Sequence, residues 1–191
     1  MKPHFRLIAL ILFGGLMAGA TPLFAEPEAN NPAVEKVAPE LGTAEPAGPA
    51  LARSDQRVIK KIMACGAYEL AISRQAVTRA THAEVRAYAE AVVRSLELIN
   101  GELATLAKHR GAKIAIEHKQ ADDVAGLAKK TGGNYDEAYL KEIIDAHEDA
   151  VDLLEKAAKS DDTDVAAFSV HSLARVRDHL VRGKELGKAI N

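Results

Sequence analysis

From Ser54 onward, apolar residues recur every three or four positions along long stretches, and no proline interrupts them. This spacing places apolar side chains on one face of an α-helix. The clearest stretch alternates strictly by four and three positions, through Val85, Ala89, Val92, Leu96, Ile99, Leu103 and Leu106. Such regularity is typical of a helix packed in a bundle. The pattern therefore predicts helices throughout this part of the chain.

The residues that flank each apolar stretch predict where the helices begin and end. We expect a first long helix over residues 54–79, a second from 81 to 110, a short helix over 117–130, a third long helix from 134 to 158, and a fourth from 161 or 163 almost to the end. Thr81–Glu84 and Asn134–Glu137 read as capping boxes, and Gly111 as a C-terminal glycine. Four long helices with short connections predict an all-α, antiparallel four-helix bundle, with one extra short helix between the second and third long helices.

The first 25 residues have the organisation of a secretory signal peptide. Lys2 and Arg6 precede an uncharged apolar run over residues 7–17, and small residues follow at Ala20 and Ala25. The run is shorter than the roughly 20 residues that a membrane-spanning helix needs. We therefore expect cleavage after Ala25 or after Ala20 and export of the protein, and the alternative is an uncleaved membrane anchor.

Residues 26–53 differ in composition from the rest of the chain. They contain five of the seven prolines, five acidic residues and no aromatic residue. Such a segment cannot bury enough apolar surface to offset the entropy lost on ordering. We predict a disordered linker over residues 26–53 and a single bundle domain over residues 54–191.

Charge and composition exclude several classes of function. The 25 basic and 27 acidic residues give a net charge of -2, which provides no basic surface for nucleic acid. Cys65 is the only cysteine, so an intramolecular disulfide and a cysteine-only metal site are excluded. We expect its thiol to be buried, and the alternative is a disulfide with another chain. Nucleophile elbows and phosphate-binding loops are absent from the sequence, so we expect no catalytic residues.

Three ionisable residues occupy positions where the helical pattern calls for apolar ones. Glu69, His147 and His179 each lie near the middle of a different predicted helix. Packing of the helices would bring all three to one level of the bundle, where each needs a partner. They form a hydrogen-bonded polar network that fixes the helix register, or bind a single transition metal as a carboxylate with two imidazoles. The third alternative is that one or more of them faces solvent.

A ferritin-type di-iron centre does not fit the sequence. Such a centre requires Glu-x-x-His on two helices, and no histidine here has a glutamate three residues before it. We therefore expect no ferroxidase or oxygenase activity. His171 lies two turns from His179, whereas His82, His109 and His118 fall at predicted helix ends or loops, where solvated roles are expected.

Four short segments carry a resemblance to a known family. They are Gly66-Ala-Tyr-Glu69-Leu, Val85-Arg-Ala-Tyr-Ala89, Tyr135-Asp-Glu-Ala-Tyr139-Leu followed by His147-Glu148, and Asp178-His179-Leu. With them, residues 54–188 resemble the bacterial domain-of-unknown-function family numbered four-one-four-two. The resemblance implies export and a ferritin-like bundle. Members of the family are often labelled outer membrane proteins, which implies an envelope location.

The resemblance also bears on the metal alternative. The family usually carries an Asp-His pair in the second long helix, and the matching residues here are Ser95 and Leu96. One ligand implied by the resemblance is thus replaced by an apolar side chain. We expect a periplasmic protein with a non-catalytic binding or structural role, no cofactor, no membrane span after cleavage, and an envelope protein or surface as partner. The alternative is a mononuclear metal-binding or metal-dependent redox protein.

Overall fold

The computed structural model describes residues 48–112 and 121–190, and the predicted signal peptide and most of the predicted linker lie outside these ranges. The described residues form five α-helices: α1 Arg53–Arg79, α2 Ala83–His109, α3 Ala121–Ala128, α4 Gly133–Ala157 and α5 Thr163–Ala189. No strand occurs within them. The predicted all-helical bundle is therefore confirmed. None of these helices is both long and apolar enough to cross a membrane.

The helices pack through the apolar faces that the spacing predicts. Helix α1 contacts α2 and α4, α5 contacts the same two helices, and α3 packs on α1 and α4. On α2, every residue of the alternating pattern is buried except Leu106, which is half-buried. Buried apolar residues form two clusters, one around Ile72, Val92 and Tyr139 and the other around Ile59 and Leu103. Both clusters contain residues of α1, α2 and α4.

The start of α2 differs from the prediction. The helix begins at Ala83, so Thr81 is not its N-cap, and the capping box Thr81–Glu84 is wrong. The Thr81 hydroxyl instead donates to the Asp136 carboxylate at 2.6 Å, and the amides of Thr81 and His82 donate to it at 2.9 and 2.8 Å. A buried carboxylate on α4 therefore satisfies amides before α2, where the helix end attracts negative charge.

The start of α4 also corrects the sequence analysis, whereas α5 begins at Thr163, one of the two predicted positions. Helix α4 begins at Gly133 and no side chain caps it, so the capping box Asn134–Glu137 is wrong. The chain enters the helix through Gly132, whose φ of 59° favours glycine. At α5, Asp162 is the N-cap and accepts hydrogen bonds from two backbone amides. Asp162 also forms an ion pair with Arg110.

The end of the predicted linker packs against the bundle. Leu51 is only 4% exposed and belongs to the apolar cluster around Ile59 and Leu103. Its carbonyl accepts a hydrogen bond of 2.9 Å from the side chain of Gln56 in the first turns of α1. The packed part of the chain thus begins before residue 54.

Candidate functional site

A carboxylate and an imidazole meet in the interior of the bundle. Glu69 on α1 and His147 on α4 are each 1% exposed, and 2.8 Å separates Glu69 Oε1 from His147 Nδ1. With Glu69 ionised, the Nδ1–H of His147 donates this hydrogen bond. Both residues lie on the buried faces of their helices because the helical period carries them there. Each side chain is therefore the partner that burial of the other requires.

His179 joins this pair through its ring rather than through a hydrogen bond. It is half-buried on α5, and its ring centroid lies 6.0 Å from that of His147, with the rings edge to face. Burial lowers the pKa of His179, nearby His147 lowers it further, and Asp178 opposes both effects. Within the described residues, Nε2 of His147 has no hydrogen-bond partner. The three predicted residues are thus brought together, with His147 in contact with both others.

Two tyrosines extend this group, and the sequence analysis missed them. The Tyr88 ring lies 6.3 Å from the His179 ring and 6.4 Å from the Tyr139 ring. The Tyr88 hydroxyl donates to the carbonyl of His179 at 3.0 Å, and the Tyr139 hydroxyl donates to Ser73 Oγ at 3.1 Å. A Cβ at Gly183 would lie 2.8 Å from the Tyr88 hydroxyl, so this glycine makes room for it. Burial raises the pKa of both tyrosines.

These side chains form one connected group, which we call the polar core cluster. Its members are Glu69, Ser73, Tyr88, Tyr139, His147 and His179. The cluster draws on α1, α2, α4 and α5, so it ties the four long helices of the described chain together. A sequence signal for the tyrosines did exist, since each immediately precedes a residue of a predicted apolar face.

Cys65 lies beside the polar core cluster and is a free, partly buried thiol. Its Sγ lies 3.5 Å from the Ala146 carbonyl oxygen and 3.9 Å from Glu69 Oε1. Burial and the neighbouring Glu69 raise the pKa of the Cys65 thiol well above its usual range. Because the thiolate is the nucleophilic form, this cysteine is unsuited to thiol chemistry.

The surroundings of His147 do not supply a complete set of metal ligands. Within residues 48–112 and 121–190, no three His, Cys, Asp or Glu side chains are arranged to hold a metal ion. Leu96 is 3% exposed, as its place in the apolar pattern predicts, and offers no donor atom. His171 is exposed, His82 and His109 lie at the two ends of α2, and His118 is outside the described residues.

Comparisons with known proteins agree with the helical fold. A family model described as Domain of unknown function (DUF4142) matches residues 40–186. The solved crystal structure of a DUF305 fragment from Deinococcus radiodurans is similar, with a TM-score of 0.68 and 14% sequence identity. That match covers 74% of this chain and 99% of the other. None of the curated proteins matches significantly. At 14% sequence identity, the structural similarity is evidence for the fold alone.

Proposed function

Because the chain belongs to the family described as Domain of unknown function (DUF4142), whose description assigns no activity, we propose a function from the residues themselves. The protein is an exported helical-bundle protein of the cell envelope, and its role is non-catalytic binding or structural contact. One observation carries the non-catalytic part. Glu69 and His147, the acid and base of the interior, are bound to each other at 1% exposure. A catalytic acid or base must reach a substrate proton, and these groups are enclosed.

The proposed architecture is a ferritin-like antiparallel four-helix bundle. Arg110 after α2 pairs with Asp162 before α5, which supports opposite directions for these helices. Thr81 before α2 bonds to Asp136 in the first turn of α4, which supports the same direction for α2 and α4. Two helices that run the same way need a connection that returns along the bundle. A long crossover of this kind distinguishes ferritin-like bundles from simple up-and-down bundles.

The proposed role of the polar core cluster is to fix the register of the helices. A hydrogen bond between Glu69 and His147 forms only at one relative position of α1 and α4, and any slip would leave both groups buried without partners. A single polar pair in an apolar interface is a known way to specify register. On this proposal, the polar core cluster selects one packing of the helices, and the binding or structural function belongs to the surface of the bundle.

A metal-binding role is the second candidate, and one observation favours it. Nε2 of His147 is buried and has no hydrogen-bond partner in the described chain, so it could donate its lone pair to a metal. A site there would need ligands beyond His147, and Glu69 and His179 are the nearest predicted ones.

Thermal unfolding of the cleaved protein with and without metal separates the two candidates. We expect zinc, manganese and ferrous iron each to leave the melting temperature unchanged. A metal site would instead stabilise by about 2.7 kcal/mol at a hundred times its dissociation constant. Metal content of the protein purified from the periplasm is an independent measurement that does not depend on the folding of a variant. Close to one tightly held metal per chain, lost in His147→Ala, would contradict the register role.

Export is tested by expression of the full chain in a Gram-negative host, followed by osmotic-shock fractionation. We expect the protein in the periplasmic fraction, with an intact mass that begins at Glu26 or at Thr21. Replacement of Leu10 by arginine interrupts the apolar run and should leave the precursor uncleaved. A chain that retains its N-terminal residues and stays in the cytoplasmic fraction would contradict the proposed location.

A further inference from the structure

An open groove of about 820 Å³ lies on the outside of the bundle, between the first half of α1 and the last turns of α4. Its rim carries four basic residues, which are Arg57, Lys60 and Lys61 on α1 and Lys156 on α4. Arg57 and Lys61 are four residues apart and therefore project from the same side of their helix. The groove is separate from the polar core cluster and shares no residue with it.

The charge of this groove differs from that of the whole chain. The sequence has a net charge of -2, whereas the groove lining contains four basic residues and one acidic residue. That acidic residue is Asp55, which is buried and accepts a hydrogen bond of 2.8 Å from the Ser160 hydroxyl. A concave surface with one sign of charge raises the local concentration of ligands of opposite sign. An anionic group is therefore the head group that the rim would attract.

The floor of the groove is apolar. Val58 and Leu153 line it together with Ala64 and Ala157, and the two larger side chains are half-buried against the core. The stretch of α1 from Ser54 to Ala64 is about 15 Å long, from the rise of 1.5 Å per residue. The volume falls within the range of roughly 300–1,000 Å³ found for small-ligand sites.

Rim and floor together restrict the ligand. A compact anion such as phosphate would leave the apolar floor in water, and a neutral hydrocarbon would make no use of the positive charges of Arg57, Lys61 and Lys156. We propose that this groove binds a fatty carboxylate, with its carboxylate between Arg57, Lys61 and Lys156 and its single acyl chain along Val58 and Leu153. This site is independent of the export and metal proposals, because it uses none of their residues.

This binding is measured on the full cleaved protein by displacement of a dansyl-labelled undecanoic acid. The competitor is laurate, used below the micellar concentration of laurate. We expect saturable binding with one laurate per chain. The double variant Arg57→Glu, Lys61→Glu should weaken laurate binding by more than about tenfold, because it places like charges beside the carboxylate. The matched control Lys108→Glu, Lys188→Glu makes the same change of charge at exposed residues of α2 and α5. It should change the affinity by less than about twofold.

Several results would overturn this assignment. If the two double variants lost the same affinity for laurate, with unchanged melting temperatures, the effect would come from the net charge of the protein and not from the groove. If dodecanol competed as strongly as laurate, the basic rim would not contribute to binding. If inorganic phosphate competed as strongly as laurate, the apolar floor would not contribute. Binding to anionic vesicles without binding of dispersed laurate would assign the face to a membrane surface. A dimer broken by Arg57→Glu, Lys61→Glu, without laurate binding, would assign it to a second copy of the chain.

Discussion

The buried Glu69–His147 pair should show strong energetic coupling, and its two single variants should differ. In His147→Leu, the Glu69 carboxylate stays in the interior without the Nδ1–H that lies 2.8 Å from it. In Glu69→Leu, the imidazole remains, and it can stay neutral. An uncompensated buried charge costs more than an unsatisfied neutral polar group. The direction of this difference is therefore part of the prediction.

The magnitudes follow from burial, since both side chains are 1% exposed. Removal of the partner of a buried charge costs about 3–5 kcal/mol, which we expect for His147→Leu. An unsatisfied neutral group costs about 1–3 kcal/mol, which we expect for Glu69→Leu. The double variant replaces both groups by apolar side chains and should cost less than His147→Leu alone, since such replacements are often close to neutral. The magnitude of the coupling energy then exceeds the cost of Glu69→Leu alone, which is about 1–3 kcal/mol.

Urea unfolding followed by far-ultraviolet circular dichroism measures all four proteins, in the presence of a chelator. The matched control is the pair Arg74–Glu97, which has the same separation of 2.8 Å but side chains that are 60% and 50% exposed. An exposed pair of this kind should couple by about 0.2–1 kcal/mol. If the Glu69–His147 pair couples no more strongly than Arg74–Glu97, or if Glu69→Leu is the costlier single change, the reasoning from burial is refuted.

Four further predictions concern other parts of the bundle. Asp136→Ala should cost at least about 2 kcal/mol in urea unfolding, because it removes a buried carboxylate that accepts three hydrogen bonds from Thr81 and His82, and a loss below about 0.5 kcal/mol would contradict this. Leu96→Ala should cost about 2–5 kcal/mol as a buried leucine, and a surface-like loss would place α2 in another rotation. Leu51→Ala should lower the melting temperature because Leu51 is buried, whereas removal of residues 26–47 should not lower it. Equal melting temperatures for Leu51→Ala and its parent would show that Leu51 is dispensable. Because burial lowers the pKa of His179 below the usual 6.5 of a histidine, the unfolded chain binds the proton first as the pH falls. The stability should therefore decrease as the pH drops below 6.5. His179→Gln should reduce that fall, and an unchanged pH profile would exclude His179 as its source.

The helices and their buried faces could be predicted because both depend on short-range spacing. The period of 3.6 residues places Val85, Val92 and Leu103 on one side of a helix whatever that helix packs against. All three are fully buried in the structure. Leu106 follows the same pattern but is only half-buried, although its neighbour Ala107 is buried. Periodicity thus predicts the face, and the extent of burial depends on the neighbours.

The helix starts could not be predicted in the same way, because their partners are distant in sequence. Asp136 satisfies the amides of Thr81 and His82, from which it is separated by more than fifty residues. A capping box is a local pattern, and Thr81 matched it while its hydroxyl had a stronger partner across the bundle. A buried carboxylate with three donors outcompetes a glutamate in the first turn, and only the tertiary fold brings the first turn of α4 to the residues that precede α2.

The candidate site, too, could be predicted only as far as it depends on short-range spacing. Spacing placed Glu69, His147 and His179 on three buried faces, but only the register of the helices decides that His147 bonds to Glu69 and meets His179 edge to face. Glu69 and His147 are enclosed in the interior, whereas His179 is half-buried. A groove such as the one around Arg57 is inconspicuous in sequence, since basic residues on a helix surface are ordinary. For an enclosed bundle, the residues that stand out by pattern therefore explain the fold, and binding is to be sought where charge and shape coincide on the surface.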